Sequence, residues 1–396
     1  MSDKKRILII TNRFHPQIGG AELNIFFQAR ELSKHFEVDV MTPIRDCNPH
    51  SERAGSFHIS RCYNMFNPFN RFPYLPAKTL CPGILTRVFF RKYDLIHCFP
   101  ALGHNNILAL KIAGLKQIPV FLSNFDLFDY ATLLAQGVAV SEFSELQMPL
   151  RSKARLARFN AIFTISQKET EIIRAVNPNT FLSTVPIDLD EYGRTHDLVE
   201  LRQRFSIDPR RKVVLCLSRV CPIKGQDILM DALPLLKSRF ENFVAVFAGR
   251  TDYEDEYAAR MKSFVSENGL DRNVVFTGSL SREDVLGLLS LCDVHVLPMR
   301  FMNSGAINTE TWMSGRPIIQ SGRVDPNYVE DGVNGFNFDI EDKEGLVEKL
   351  VRVLEDEVLA TRMGENGRKL AMEKFTYPAL IAQYLEVYRQ CGGIEP

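Results

Sequence analysis

One pattern governs the chain: a short, wholly apolar run, a polar turn, and then an amphipathic helix. It begins with "RILIIT" (6–11), "VDVMT" (38–42), "DLIHCF" (94–99), "PVFLS" (119–123) and "AIFTIS" (161–166). It lapses into charged sequence across "DLDEYGRTHDLVELRQRFSIDPRR" (188–211). The pattern then restarts with "VVLCLS" (213–218), "FVAVFAG" (243–249), "VVFTG" (274–278), "VHVLP" (294–298) and "PIIQS" (317–321). Strands with no polar alternation are buried on both faces, so the expected sheets are parallel and covered by helices on both sides. At 396 residues the chain is too long for one ordinary core. The reading is α/β, with two Rossmann-like doubly wound domains, 1–190 and 191–377, facing a cleft, and a final helical segment, 378–396. Helices are expected at about 21–35, 101–114, after Gly225, near 255–267 and at 282–291. Ser166 with Glu169, and Ser281 with Asp284, have the spacing of N-terminal caps.

Composition narrows the partners. Lys+Arg and Asp+Glu balance at 48 each, without the basic excess expected of a nucleic-acid binder. The longest apolar runs are strand-sized and too short to cross a bilayer. "MSDKKRILIITNRF" reads as a first buried strand rather than a signal peptide. The eight cysteines form no CxxC pair and no cluster with zinc spacing. The expectation is therefore a cytoplasmic protein with no disulfide and no metal.

Three places carry candidate chemistry. After the first strand, Gly19 and Gly20 in "TNRFHPQIGGAE" let the backbone approach a ligand and open a helix whose free N–H groups favour an anion. A plain tight turn would look the same. After "VVLCLS", Arg219 and Lys224 in "SRVCPIKGQD" flank a helix start, an arrangement that suits a diphosphate but also fits two solvated loop cations. In "FMNSGAINTETWMSGRPII" (301–319), Gly305 and Ala306 offer amides at a helix start. Glu310, about one turn in, has the chemistry to accept hydrogen bonds from a ribose diol, or to be a plain surface acid.

Taken together and in order, these segments resemble the family 4 retaining glycosyltransferases of GT-B architecture. The resemblance runs nearly end to end. It takes in "HPQIGGAE", "TISQKETEII", "VPIDLDEY", "SRVCPIKGQD", "VVFTGSLSREDVLGLLSLCDVHVLPM", "ETWMSGRPII", "VEDGVNGFNF" and "KFTYPALIAQYLEVY". It implies that Arg219 and Lys224 hold the donor diphosphate as catalytic groups and that Glu310 binds the ribose. Gly19 and Gly20 would face the donor from the first domain, Gly305 and Ala306 would supply amides, and the last helix would cross back to the first domain. It also implies a nucleotide-diphosphate sugar as donor, UDP slightly before GDP, and no metal. The implied acceptor is a glycan, a lipid-linked molecule or a small molecule, as in cell-envelope glycan biosynthesis.

The chain departs from the family pattern at the sugar end. The family places a glutamate where this chain has Met302, and a histidine where "SNFDLF" has Phe125, followed by the retained Asp126. Two readings stay open: an active transferase with an altered donor-sugar pocket, or a non-catalytic nucleotide-sugar-binding partner of another transferase. Residues 53–93 contain seven cations and no acid, interleaved with aromatics. With "RSKARLAR" (151–158) they raise the expectation of peripheral contact at the inner face of a membrane. "DLD" (188–190) formally matches a metal-binding DxD but lies in the linker context, so metal binding is rejected there. His97 and His104 follow the 94–99 strand as candidate acceptor contacts or plain structural residues.

Overall fold

The computed structural model describes all residues except 1–3, 13, 16–19, 45–49, 63–80, 101–103, 125–149, 193–195, 251–254, 301, 304–305 and 326. The chain divides into two compact units. The first comprises Met1–Pro186 with Tyr377–Pro396, and the second Ile187–Thr376.

The first unit is built on an eight-stranded sheet. Its order is β3 (Ser51–Ala54), β4 (Phe57–Cys62), β2 (Glu37–Pro43), β1 (Arg6–Ile10), β5 (Leu95–Cys98), β6 (Val120–Asn124), β7 (Ala161–Thr164) and β8 (Thr180–Leu182). All pairings are parallel except the β3–β4 hairpin, which turns through Gly55 at φ +62°. Successive residues of β1 enter opposite layers. Ile7 and Ile9 pack with α1 (Gly20–Leu32) and α13 (Tyr377–Gly392). Leu8 and Ile10 pack with α2 (Pro82–Phe90), α3 (His104–Lys116), α4 (Leu150–Leu156) and α5 (Gln167–Arg174). Ser166 caps α5 by accepting from the Glu169 N–H.

His97 does not follow a strand: it lies inside β5, fully buried. Its ring bonds to the Tyr388 hydroxyl and, at 2.9 Å, to Ser123. Tyr384 extends the network to Ser123 and Gln28. Burial lowers the His97 pKa to about 3, so the ring is neutral and structural. The acceptor role weighed for it is thereby corrected. His104 is the first residue of α3.

The second unit has a six-stranded parallel sheet. Its order is β11 (Val274–Gly278), β10 (Phe243–Ala248), β9 (Lys212–Leu217), β12 (Val294–Leu297), β14 (Ile318–Ser321) and β16 (Gly335–Phe338). A separate two-stranded parallel pair joins β13 (Met302–Asn303) to β15 (Val324–Asp325). The helices are α6 (Leu198–Arg204), α7 (Gln226–Arg239), α8 (Asp255–Glu267), α9 (Arg282–Leu291), α10 (Ala306–Met313), α11 (Lys343–Glu355) and α12 (Glu357–Lys374). A full capping box of Ser281 and Asp284 starts α9. Trp312, the sole tryptophan, is fully buried against Phe375, and its indole N–H donates to Asn334 O at 3.1 Å. Strand order reverses direction between β1 and β5 in one sheet and between β9 and β12 in the other. Ligands of doubly wound sheets bind at such switch points, beyond the carboxyl ends of the strands.

Candidate functional site

The switch point of the second unit is flanked by the segments after β9 and after β12, and local constraints hold both in place. Gly249 sits at φ +146°, and a Cβ there would stand 2.0 Å from Ser218 O, so the turn carrying Arg219 lies directly on glycine. The nearly inaccessible Gln226 brackets the same turn. Its Nε2 donates to Ser218 Oγ and to Arg219 O, both at 2.7 Å. Residues Pro222–Lys224 form one 3-10 turn, ended by Gly225 at φ +67°. A Cβ on Gly225 would lie 1.9 Å from Pro298 O, which ties this turn to the segment after β12.

Arg300 joins the two segments. Its N–H donates to Ile223 O at 3.0 Å and its Nη1 to Pro222 O at 2.7 Å. Its guanidinium also grips Asp227 through two bonds of 2.8 and 2.7 Å, and Tyr257 donates to the same carboxylate at 2.7 Å. The acid closest in sequence to Lys224 is thus already paired. The Lys224 ammonium is largely buried, and among the described residues its hydrogen-bond partner is the Met299 thioether at 3.7 Å. Burial is the largest cause lowering its pKa, and the Arg219 charge acts in the same direction. Arg219 is exposed. Two like charges, one of them desolvated, make a place that gains by receiving an anion.

Glu310, on α10, is placed differently from a free ribose ligand. Its side chain is 12% exposed, and Arg282 Nη1 lies 2.8 Å from its carboxylate. Arg282, the first residue of α9, also holds Glu191 at 2.6 Å and the Tyr192 hydroxyl at 3.2 Å. Burial raises the Glu310 pKa, and the Arg282 charge opposes that rise. A carboxylate has about four lone-pair sites, so bonds from Arg282 and the Tyr192 hydroxyl still leave acceptor capacity.

Ala306 opens α10, as expected of an amide at a helix start, and Gly20 opens α1. Met302 stands eight residues before Glu310, at the position where the family pattern has a glutamate. Its backbone pairs with Val324 in β13 and β15, outside any helix. Gly19, Gly305, Phe125 and Asp126 lie outside the described residues. Asp188 of the "DLD" segment caps a single 3-10 turn, Leu189–Glu191, which gives it a structural task.

Several described cations of the 53–93 stretch serve the fold. Arg61 is buried, pairs with Glu52 and donates to His15 O at 2.9 Å. Arg91 lies 3.5 Å from Asp39. Arg71 and Lys78 fall outside the described residues.

Sequence reading missed Gln226, the Arg300–Asp227 pair and the Arg282–Glu310 pair. Gln226 and Asp227 follow Lys224 and Gly225 directly in "KGQD", a signal that was available. Arg282 sits on a different helix from Glu310, and nothing in the sequence marks the pairing.

Residues 199–370 match the family model described as glycosyl transferases group 1. A GDP-mannose-dependent alpha-(1-6)-phosphatidylinositol monomannoside mannosyltransferase of Mycobacterium tuberculosis is 26% identical, over 97% of this chain and 98% of that protein. An alpha-D-kanosaminyltransferase of Streptomyces kanamyceticus is 30% identical, over 49% of each chain. Among solved structures, a sucrose-phosphate synthase from Thermosynechococcus elongatus superposes with a TM-score of 0.73 at 20% identity. That match covers 98% of this chain and 99% of the other. The chain is a glycosyltransferase with the GT-B fold, and its residues 199–370 carry the match to the group 1 glycosyl transferases.

Proposed function

We propose that this glycosyltransferase moves a sugar from a nucleotide-diphosphate donor to a glycan, lipid-linked or small-molecule acceptor, with retention and without a metal. The observation that carries the reading is Lys224: a largely buried ammonium beside Arg219, bonded within the protein only to a thioether among the described residues. As the bond between the sugar and the diphosphate breaks, negative charge gathers on the departing phosphate. Preorganised cations in a water-poor site stabilise charge that develops there far better than water does. The leaving phosphate then takes the acceptor's proton on the same face of the sugar.

Glu310, oriented by Arg282, receives the ribose hydroxyls with its remaining lone pairs. The departures from the family pattern at Met302 and Phe125 fit a donor sugar lacking a usual hydroxyl, because an acid left unpaired beside such a sugar would carry a desolvation penalty. GDP-mannose is the first donor to test, since the full-length mycobacterial relative is named for it. UDP-glucose is the second.

Titration calorimetry with GDP and UDP is the test. Wild type should bind one of them, and Arg219→Ala/Lys224→Ala should weaken that binding at least about 100-fold, from two charge-assisted bonds of about 1.5–3 kcal/mol each. Equal affinity in the double variant would refute the site. Binding without transfer or hydrolysis across a donor panel would move the protein to the binding-only reading.

A further inference from the structure

The first unit carries a second feature, independent of the donor site. Helices α2, α3 and α4 pack over one apolar layer containing Ile84, Val88, Ile112, Ala113 and Leu156. Stretches 82–92, 104–117 and 150–158 together hold nine Lys and Arg and not one Asp or Glu. In a chain whose charges balance overall, that is a concentrated one-sign field.

The same surface exposes large apolar side chains. Phe89 is 59% exposed, Phe90 79% and Leu115 83%. The two phenylalanine rings meet edge to face at 5.2 Å. Leu115 belongs with them because the next residue, Lys116, ties the ends of the helices together. Its ammonium donates to Val88 O, Phe89 O and Arg91 O at 3.1, 2.8 and 3.3 Å. Exposed Lys92 and Lys111 border the patch, and the Arg158 guanidinium lies against Gly114 one residue before Leu115. Of the flanking acids, Asp39 is buried against Tyr93 and lies 3.5 Å from Arg91, and the exposed Asp94 accepts from the Arg6 N–H at 2.7 Å.

We infer that this α2–α3–α4 face docks on an anionic lipid bilayer, with Phe89, Phe90 and Leu115 entering the interface and the surrounding cations meeting the headgroups. Exposed apolar side chains set among an excess of cations complement such a surface. Exposed apolar residues that met a second copy of the chain would bring like charges together. Of the expected stretches 53–93 and 151–158, this face takes in 82–92 and 151–158 and leaves out the buried Arg61; α3 adds Lys111, Lys116 and Leu115, and the exposed apolar side chains lie at the ends of α2 and α3. Those ends lead into the first residues of β5 and β6, whereas ligands of doubly wound sheets sit beyond the strands' last residues. Adhesion and sugar transfer are therefore separable by mutation.

Sedimentation of the full chain with phosphatidylcholine vesicles, with and without phosphatidylglycerol, tests this. Binding is expected only with phosphatidylglycerol, and to weaken with salt. Each cation near an anionic surface contributes about fivefold to partitioning, so Lys92→Glu/Lys111→Glu should lower it at least about 25-fold. Phe89→Ser/Phe90→Ser should abolish the binding left at high salt. All four positions are exposed, so the variants should keep the wild-type melting temperature and nucleotide affinity. Absence of binding to phosphatidylglycerol vesicles overturns the inference, as does binding untouched by both variants. Concentration-dependent dimerisation removed by Phe89→Ser/Phe90→Ser, without vesicle binding, would assign the face to a second copy instead.

Discussion

Replacing Lys224 with methionine separates what this side chain does for the fold from what it does for a ligand. The ammonium is largely buried, and its described partner is the Met299 thioether at 3.7 Å. A buried polar group left without a proper partner costs about 1–3 kcal/mol, and more when charged. Methionine keeps an unbranched side chain of similar reach and removes the charge. The ligand-free variant should therefore gain about 1–3 kcal/mol. At about 2–4 °C per kcal/mol for a domain of this size, the melting temperature should rise by several degrees.

The effect on nucleotide binding has the opposite sign. Loss of one charge-assisted bond of about 1.5–3 kcal/mol should weaken nucleoside diphosphate binding about 10- to 150-fold. Nucleotide at 100 times its wild-type dissociation constant adds about 2.7 kcal/mol to the wild type. A 100-fold weaker variant would gain only about 0.4 kcal/mol at that concentration. Thermal unfolding with and without GDP or UDP, at one fixed concentration, reads both effects. A variant that is less stable alone yet keeps the full ligand shift would show that Lys224 only packs, and the diphosphate site would have to be sought elsewhere.

Two further outcomes follow, one from two fully buried histidines, His97 of β5 and His295 of β12, and one from Gly225. Burial holds His97 and His295 at a pKa of about 3 in the folded state, against 6.5 for a free histidine. The unfolded chain takes up these protons first, so stability falls as pH drops below 6.5, by about 2 kcal/mol per histidine at pH 5. Urea unfolding at pH 7 and pH 5 should show His295→Gln to be less acid-sensitive than wild type by about that amount, and equal sensitivity would refute the assignment. Gly225→Ala introduces a Cβ 1.9 Å from Pro298 O at φ +67°. It should cost about 1–3 kcal/mol or more in strain and lower nucleotide affinity by shifting Lys224. Unchanged melting and binding would show that the turn is not held as described.

Most strands of both sheets were legible because helices cover both faces and remove any polar alternation, but β16 was not read as a strand. The β3–β4 hairpin was not, since edge strands with exposed residues carry a weak pattern, and β8, β13 and β15 are too short to register. Arg219 and Lys224 could be found because a strand, two cations and a glycine-opened helix are contiguous in sequence. The neutralisation of Arg300 by Asp227, which leaves Lys224 without an acid partner among the described residues, depends on two segments meeting in space. Glu310 was legible as a residue type in a motif. Its grip by Arg282 was not.

The chain leaves the first unit after Pro186 and re-enters it at Tyr377, so the second unit is an insertion within the first. Tyr384 and Tyr388, supplied by the returning helix, complete the hydrogen bonds of Ser123 and His97. During synthesis the first unit must therefore wait for Tyr377–Pro396 to emerge, while the second unit, made later, has everything it requires sooner. Maturation runs against the order of translation, and a nonsense codon just after Thr376 would damage the part of the protein that was made first.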